Sequence, residues 1–102
     1  MSKKRAIRAA KPIRLDARMT IVQAAGLRSL LLARLVDGGS IVIDGARVEE
    51  IDTAILQLLA SLWLTAAQRA VTCSWAGASD ALRRSANLIG MTHLLHLPHA
   101  AA

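Results

Sequence analysis

The stretch Ser40–Gln68, SIVIDGARVEEIDTAILQLLASLWLTAAQ, restricts the fold more than any other part of the chain. Ser40 to Ile43 is a β-branched run of strand length, closed by the turn-prone pair Asp44-Gly45. A charged loop, Arg47-Val48-Glu49-Glu50-Ile51, leads to Asp52-Thr53, after which Leu, Ala, Ile and Gln dominate for about four helical turns. Asp52 is suited to N-capping, because its carboxylate can accept the orphan N–H groups of the first turn. Thr53 then stands at the positive end of the helix dipole, where a hydroxyl also tolerates an added phosphate.

The flanks repeat the same strand–helix alternation. Ile13 and Leu15 alternate with Arg14 and Asp16, the pattern of a short half-buried edge strand after Pro12. Thr20 and Gln23 form a capping-box pair, so a helix is expected from Ile21 to Val36, burying Leu27, Leu30, Leu31 and Leu35. Gly26 inside it points to close packing on a neighbour, and Asp37-Gly38-Gly39 ends it with a glycine free to take positive φ. Val71–Trp75 reads as a third strand. Ser79 is the expected N-cap of a helix over Asp80–Ile89, with Leu82, Ala86 and Ile89 on its inner face and Gly90 at C′. A last helical turn is expected around Thr92–Leu95. The order β-α-β-α-β-α argues for an α/β layer of helices on a largely parallel sheet.

At 102 residues the chain is one domain. Trp63 and Trp75 are its only aromatic residues, so Leu, Ile, Val and Ala must build the core, and both indoles are expected to pack in it or at its rim. Cys73 is the single cysteine. It excludes an intrachain disulfide, reads as an inert core thiol and fits a reducing, cytoplasmic setting.

The net charge of +6 is unevenly placed. Seven of the thirteen basic residues precede Met19, whereas from Met19 onward six basic residues face six acidic ones. The basicity therefore belongs to a solvated tail over residues 1–11. No aromatic is interleaved with its Lys and Arg, so nucleic acid is not the expected partner. No apolar segment follows the charges, which excludes a signal peptide. The longest apolar stretch, Ala54–Ala67, is broken by Gln57, Ser61 and Thr65 and falls short of the roughly 18–20 residues a membrane span needs.

The unit IVIDGARVEEIDTAILQLL resembles the STAS domain of anti-sigma-factor antagonists, and the likeness continues through ASDALRRSANLIGM. It covers roughly Ile13 to Leu97. The family signature is Asp, Ser or Thr, a small residue, Gly, then Leu; here Asp52, Thr53, Ala54 and Leu56 match, and Ile55 replaces the Gly. The resemblance implies a STAS-like α/β fold over residues 12–98, a small, mostly parallel or mixed sheet of three or four strands with helices packed on it, and a disordered end at 99–102. The family's N-terminal hairpin looks shortened, leaving one clear strand before the first helix. The implied function is non-enzymatic: reversible docking on a protein partner, a serine kinase or anti-sigma factor, with Thr53 on the phosphoacceptor position. Bulky Ile55 beside Thr53 stands in the way of a kinase active site. Asp-Thr-Ala-x-Leu-Gln-Leu-Leu is also similar to small proteobacterial STAS proteins of chemotaxis-type signalling, whose partner is a chemotaxis kinase. It is similar, too, to MlaB-like subunits that bind the ATPase of a phospholipid-transport ABC complex, where the Thr is an interface contact.

A helical projection puts Thr53, Gln57, Ala60, Ser61, Leu64 and Gln68 on one stripe, opposite Ile55, Leu58, Leu59 and Leu62. Asp52, Thr53, Gln57, Ser61 and Leu64 are the expected partner-binding residues. The competing readings are a solvent face for the stripe and local hydrogen bonding for the Thr53 hydroxyl. A nucleotide- or lipid-binding domain is the alternative class. Glu49, Glu50 and Asp52 read as solvated or capping carboxylates rather than a metal site, and Pro98 breaks the helical spacing of His93, His96 and His99 that zinc would need. No catalytic constellation and no cofactor motif stands out.

Overall fold

The computed structural model describes residues 11–98. The strands are β1 (Ile13–Arg14), β2 (Arg18–Met19), β3 (Ser40–Gly45), β4 (Glu50–Ile51) and β5 (Thr72–Ala78). The helices are α1 (Ile21–Asp37), α2 (Thr53–Gln68) and α3 (Asp80–Leu88). The basic tail, apart from Lys11, and the end at 99–102 lie outside the described residues.

The main sheet has the order β1-β3-β5 and is parallel throughout. That is the arrangement expected when a helix carries the chain back to the end of the sheet where the previous strand began. Ile13 pairs with Ile43, and Ser40 with Thr72. The register slips between Ile43, opposite Trp75, and Asp44, opposite Gly77, so β5 carries one extra residue there. β3 continues through Asp44-Gly45, and the turn falls at Ala46-Arg47, where Asp44 Oδ1 accepts from the Ala46 N–H at 3.0 Å. The bulge fits a crowded corner: a Cβ on Gly45 would lie 2.6 Å from Leu82 Cδ2. The fold class is the α/β, parallel-sheet one the sequence implies.

A second, two-stranded parallel sheet pairs β2 with β4, Arg18 opposite Glu50 and Met19 opposite Ile51. The sequence pattern implies a loop over Arg47–Ile51 and a single strand before α1, and the structure corrects both. The ribbon forms because the Ala17 carbonyl accepts from both Glu49 and Glu50 N–H groups at 2.7 and 2.9 Å, and Met19 O accepts from Asp52 N–H at 2.8 Å. Such short strands carry no periodicity of their own.

The core is aliphatic. Ile41, Ile43, Ile55, Leu56, Leu59, Leu82 and Leu95 are fully buried, each stabilising the fold by roughly 1.5–3 kcal/mol. α1 lies against α2 and buries Leu27, Leu31 and Leu35. Leu30, expected with them, is 41% exposed, because the buried stripe follows 27, 31 and 35 and residue 30 falls about 100° off it. Gly26 also lies on the solvent side with nothing within 4 Å of a Cβ, so no neighbour explains it. Ile89 is 42% exposed, since it is the C-cap of α3 and lies past its last turn.

The helix ends follow the caps read from the sequence, with one exception at Asp52. Thr20 and Gln23 close a capping box on α1, with Gln23 Oε1 accepting from Thr20 N–H at 2.7 Å. Gly38 ends α1 with φ of 76°. Ser79 Oγ accepts from Leu82 N–H at 3.0 Å and donates to Val48 O at 2.6 Å, tying α3 to the turn after β3. Gly90, at φ 71°, closes α3 with a Schellman pair: its N–H donates to Asn87 O, and Met91 N–H to Ala86 O. Among the described residues no helix is long and apolar enough to cross a membrane.

Candidate functional site

The small ribbon sets the site. Because β2 and β4 run parallel and in register, the starts of α1 and α2 emerge side by side. Asp52, the residue before α2, makes no side-chain cap on its own helix. Its Oδ2 instead accepts from the Ile21 N–H at 2.9 Å, the first amide of α1. The expectation that Asp52 caps α2 is thereby corrected. α1 has no acidic residue in its first turn, and a carboxylate reaching across from β4 supplies the missing negative charge at its positive end.

α2 is left without a side-chain cap. Ile55 and Leu56 N–H groups reach the Asp52 carbonyl, but among the described residues no partner meets the Thr53 and Ala54 amides. Thr53 is exposed, and its hydroxyl makes no hydrogen bond to any described residue. The local-bonding alternative for that hydroxyl therefore finds no partner. Ile55 is fully buried in the core, so it points away from the surface around Thr53 and does not obstruct it. Of the nearby carboxylates, Glu50 Oε1 pairs with Arg18 Nε at 2.7 Å across the ribbon, and Asp52 is engaged with α1. Glu49 is exposed, with no ion pair among the described residues. With Glu50 and Asp52 engaged, less free negative charge stands beside Thr53 than three unpaired carboxylates would give.

Along α2, Thr53, Gln57, Ser61, Leu64 and Gln68 all face outward, Leu64 at 65% exposure, while Ala60 is half-buried against the core. Leu59 and Leu62 face the sheet with Ile55, and Leu58 is half-buried. Between this face and α1 runs a groove. Ala24, Ala25 and Arg28 of α1 stand opposite Ala54, Gln57 and Ser61 of α2. Sequence reasoning missed the α1 wall, because it treated α1 only as a core helix.

The other end of α2 carries a separate feature. Trp63 and Trp75 stack with centroids 5.1 Å apart, and Trp75 Nε1 donates to Leu95 O at 2.8 Å. His96, at φ 53°, lays its ring over Trp63 at 6.3 Å. With Cys73 and Pro98 these side chains line a hollow of about 380 Å³. It lies roughly 15 Å along the helix from Thr53. The His93 and His96 rings stack at 6.4 Å and do not converge on a common point; His99 lies outside the described residues. Burial pushes the Cys73 thiol up to about 11. Among the described residues no three His, Cys, Asp or Glu side chains are placed to hold a metal ion.

Compared with known proteins, residues 3–96 match a family model described as Mlab, STAS domain. No curated protein and no solved structure matches the chain.

Proposed function

The chain belongs to the STAS domain family, and we propose that it docks reversibly on a protein partner through the start of α2, with Thr53 at the contact. The family consists of small regulatory modules that act through protein–protein interaction, generally without catalysis. The observation that carries the proposal is Thr53 itself: an exposed hydroxyl with no bond to any described residue, at a helix start whose first amides are unmet. A partner that buries these groups satisfies donors that water alone serves in the free chain. Gln57, Ser61 and Leu64 extend the contact down the helix, and Asp52 holds the two helix starts together beside it.

The description of the matching model favours the MlaB-like branch, with the ATPase of a phospholipid-transport ABC complex as partner and no phosphate required. The second reading makes Thr53 a phosphoacceptor for a serine or chemotaxis-type kinase. It draws support from the unmet Thr53 and Ala54 amides, which offer a phosphate two donors at the positive end of α2. Either partner type places the chain in the cytoplasm, where ATP is available and the lone thiol stays reduced.

The test is co-purification of the full chain from a cell lysate, with the captured protein identified as a kinase, an ABC ATPase or neither. Thr53→Glu is expected to abolish the complex while the melting temperature of the free chain stays within about 2 °C, as befits an exposed side chain. Equal retention of the partner by both forms overturns the proposal. Thr53→Ser separates the two readings: mass analysis finds a phosphate on residue 53 in the phosphoacceptor case and none in the contact case.

A further inference from the structure

α1 carries two apolar stripes, and only one of them is used. Leu27, Leu31 and Leu35 are buried in the core. The second runs Val22, Ala25, Ser29, Leu32 and Val36, with spacings of three, four, three and four, and every member is exposed, Val22 at 84% and Val36 at 79%. That alternation is the spacing of a helix–helix seam, and the stripe is about 21 Å long, the length of four turns. Ala25 and Leu32 of this stripe, with Ala24, Arg28, Leu31 and Leu35, form one bank of the groove between α1 and α2, which runs about three turns along α1. Gln57, Ser61 and Thr65 stand on the other bank.

Arg28 lies at the middle of this groove and borders both of its halves, the one at Ala54 and Gln57 and the one at Leu62 and Thr65. It is exposed and has no ion pair or hydrogen bond among the described residues. No acidic residue occurs from Ile21 to Val36, and α2 carries no charged residue at all. The groove is therefore a channel of apolar and uncharged polar walls with one uncompensated cation at its centre.

We propose that Arg28 is the specificity residue of the docking surface, and that the partner presents an amphipathic helix of about three turns carrying a carboxylate opposite it. The inference rests on the docking reading of Thr53 and names the partner's chemistry at the adjoining groove. The occupant is a different protein and not a second copy. A two-fold pairing of α1 with itself would cross near Ser29 and set Arg28 against Arg28, with no carboxylate on either stripe to offset the repulsion.

The probes are three capped 18-residue peptides, Leu at three–four spacing on an Ala/Gln background, carrying one Glu, Gln or Lys in the middle of the Leu stripe. Titrated into the full chain and followed by fluorescence anisotropy, the Glu peptide should bind roughly fivefold or more tighter than the Lys peptide. Arg28→Glu should reverse the order, and Arg28→Gln should level it. Equal affinities, no binding by any of the three, or displacement of bound peptide by self-association or by neutral phosphatidylcholine vesicles each overturns the inference. The two readings fail separately. A co-purifying partner that is lost with Thr53→Glu but retained unchanged by Arg28→Glu leaves docking at Thr53 intact and removes the groove.

Discussion

Asp52 Oδ2 accepts the Ile21 N–H at 2.9 Å, so the residue before one helix meets the first donor of the other. The bond spans 31 residues of sequence and, with the β2–β4 pairing, ties the two helix starts together beside the exposed Thr53.

Asp52→Ala should therefore loosen α1 more than α2. A lost cap costs about 1 kcal/mol, and hydrogen exchange should quicken at Ile21 and Val22 while Leu56 and Leu59 amides keep their protection. Asp52→Asn retains an acceptor oxygen and should recover most of the loss in high salt, where the helix-dipole contribution is screened. Faster exchange confined to α2 would mean the carboxylate caps its own helix after all.

The two glycines at 26 and 45 behave oppositely. Gly26→Ala adds a methyl to an exposed helix position with open space around it and should stabilise the chain by about 0.5–1 kcal/mol. Gly45→Ala drives a Cβ to 2.6 Å from Leu82 Cδ2 and 3.1 Å from Trp75 Cζ3, and should destabilise it by about 1–3 kcal/mol. Urea unfolding of both variants gives the two signs directly.

Long elements were legible because their residues repeat. β3, α1, α2 and α3 stand where β-branched runs, capping pairs and leucine spacing put them, whereas β5 runs on from the expected end at Trp75 across the bulge to Ala78. What was missed lives in contacts between elements. β2 and β4 have two residues each, too few for a period, yet Arg18-Met19-Thr20 and Glu50-Ile51-Asp52 share one order: charge, apolar residue, cap, with the charges opposite. That repeat, placed before two helices, was the available signal for a paired ribbon. The capping partner of Asp52 had no signal in sequence, since propensity names a good cap but not which helix it serves. The outward faces of α2 were readable from projection. The α1 bank of the groove was not, because a leucine-rich helix hides a second apolar stripe inside the first.

Trp75→Phe should release the C-terminal turn. The ring stack on Trp63 survives the change, whereas the indole N–H bond to Leu95 O does not, at a cost of about 1 kcal/mol. Chymotryptic cleavage at Leu94–Leu97 should rise several-fold in the folded protein with little change in far-ultraviolet dichroism. Unchanged cleavage would show that burial of Leu95 and Leu97 holds the segment without the bond.

The Cys73 thiol gives the chain a defined response to alkali. Burial raises its pKa from 9.0 to about 11, so the folded chain holds the proton that the unfolded chain releases. The sign follows: the contribution to stability is complete below pH 9 and is lost as pH climbs through 11, because only the unfolded state gains from ionising in that window. Melting temperatures measured from pH 8 to 11 should fall more steeply for the natural chain than for Cys73→Ala, whose other titrating groups are the same. At pH 8 the folded thiol should react with iodoacetamide on the order of tenfold to a hundredfold more slowly than a free cysteine, since the thiolate is the nucleophile. Parallel melting curves for the two proteins, together with an alkylation rate equal to that of a free thiol, would place Cys73 in water rather than beside Trp63 and Val71.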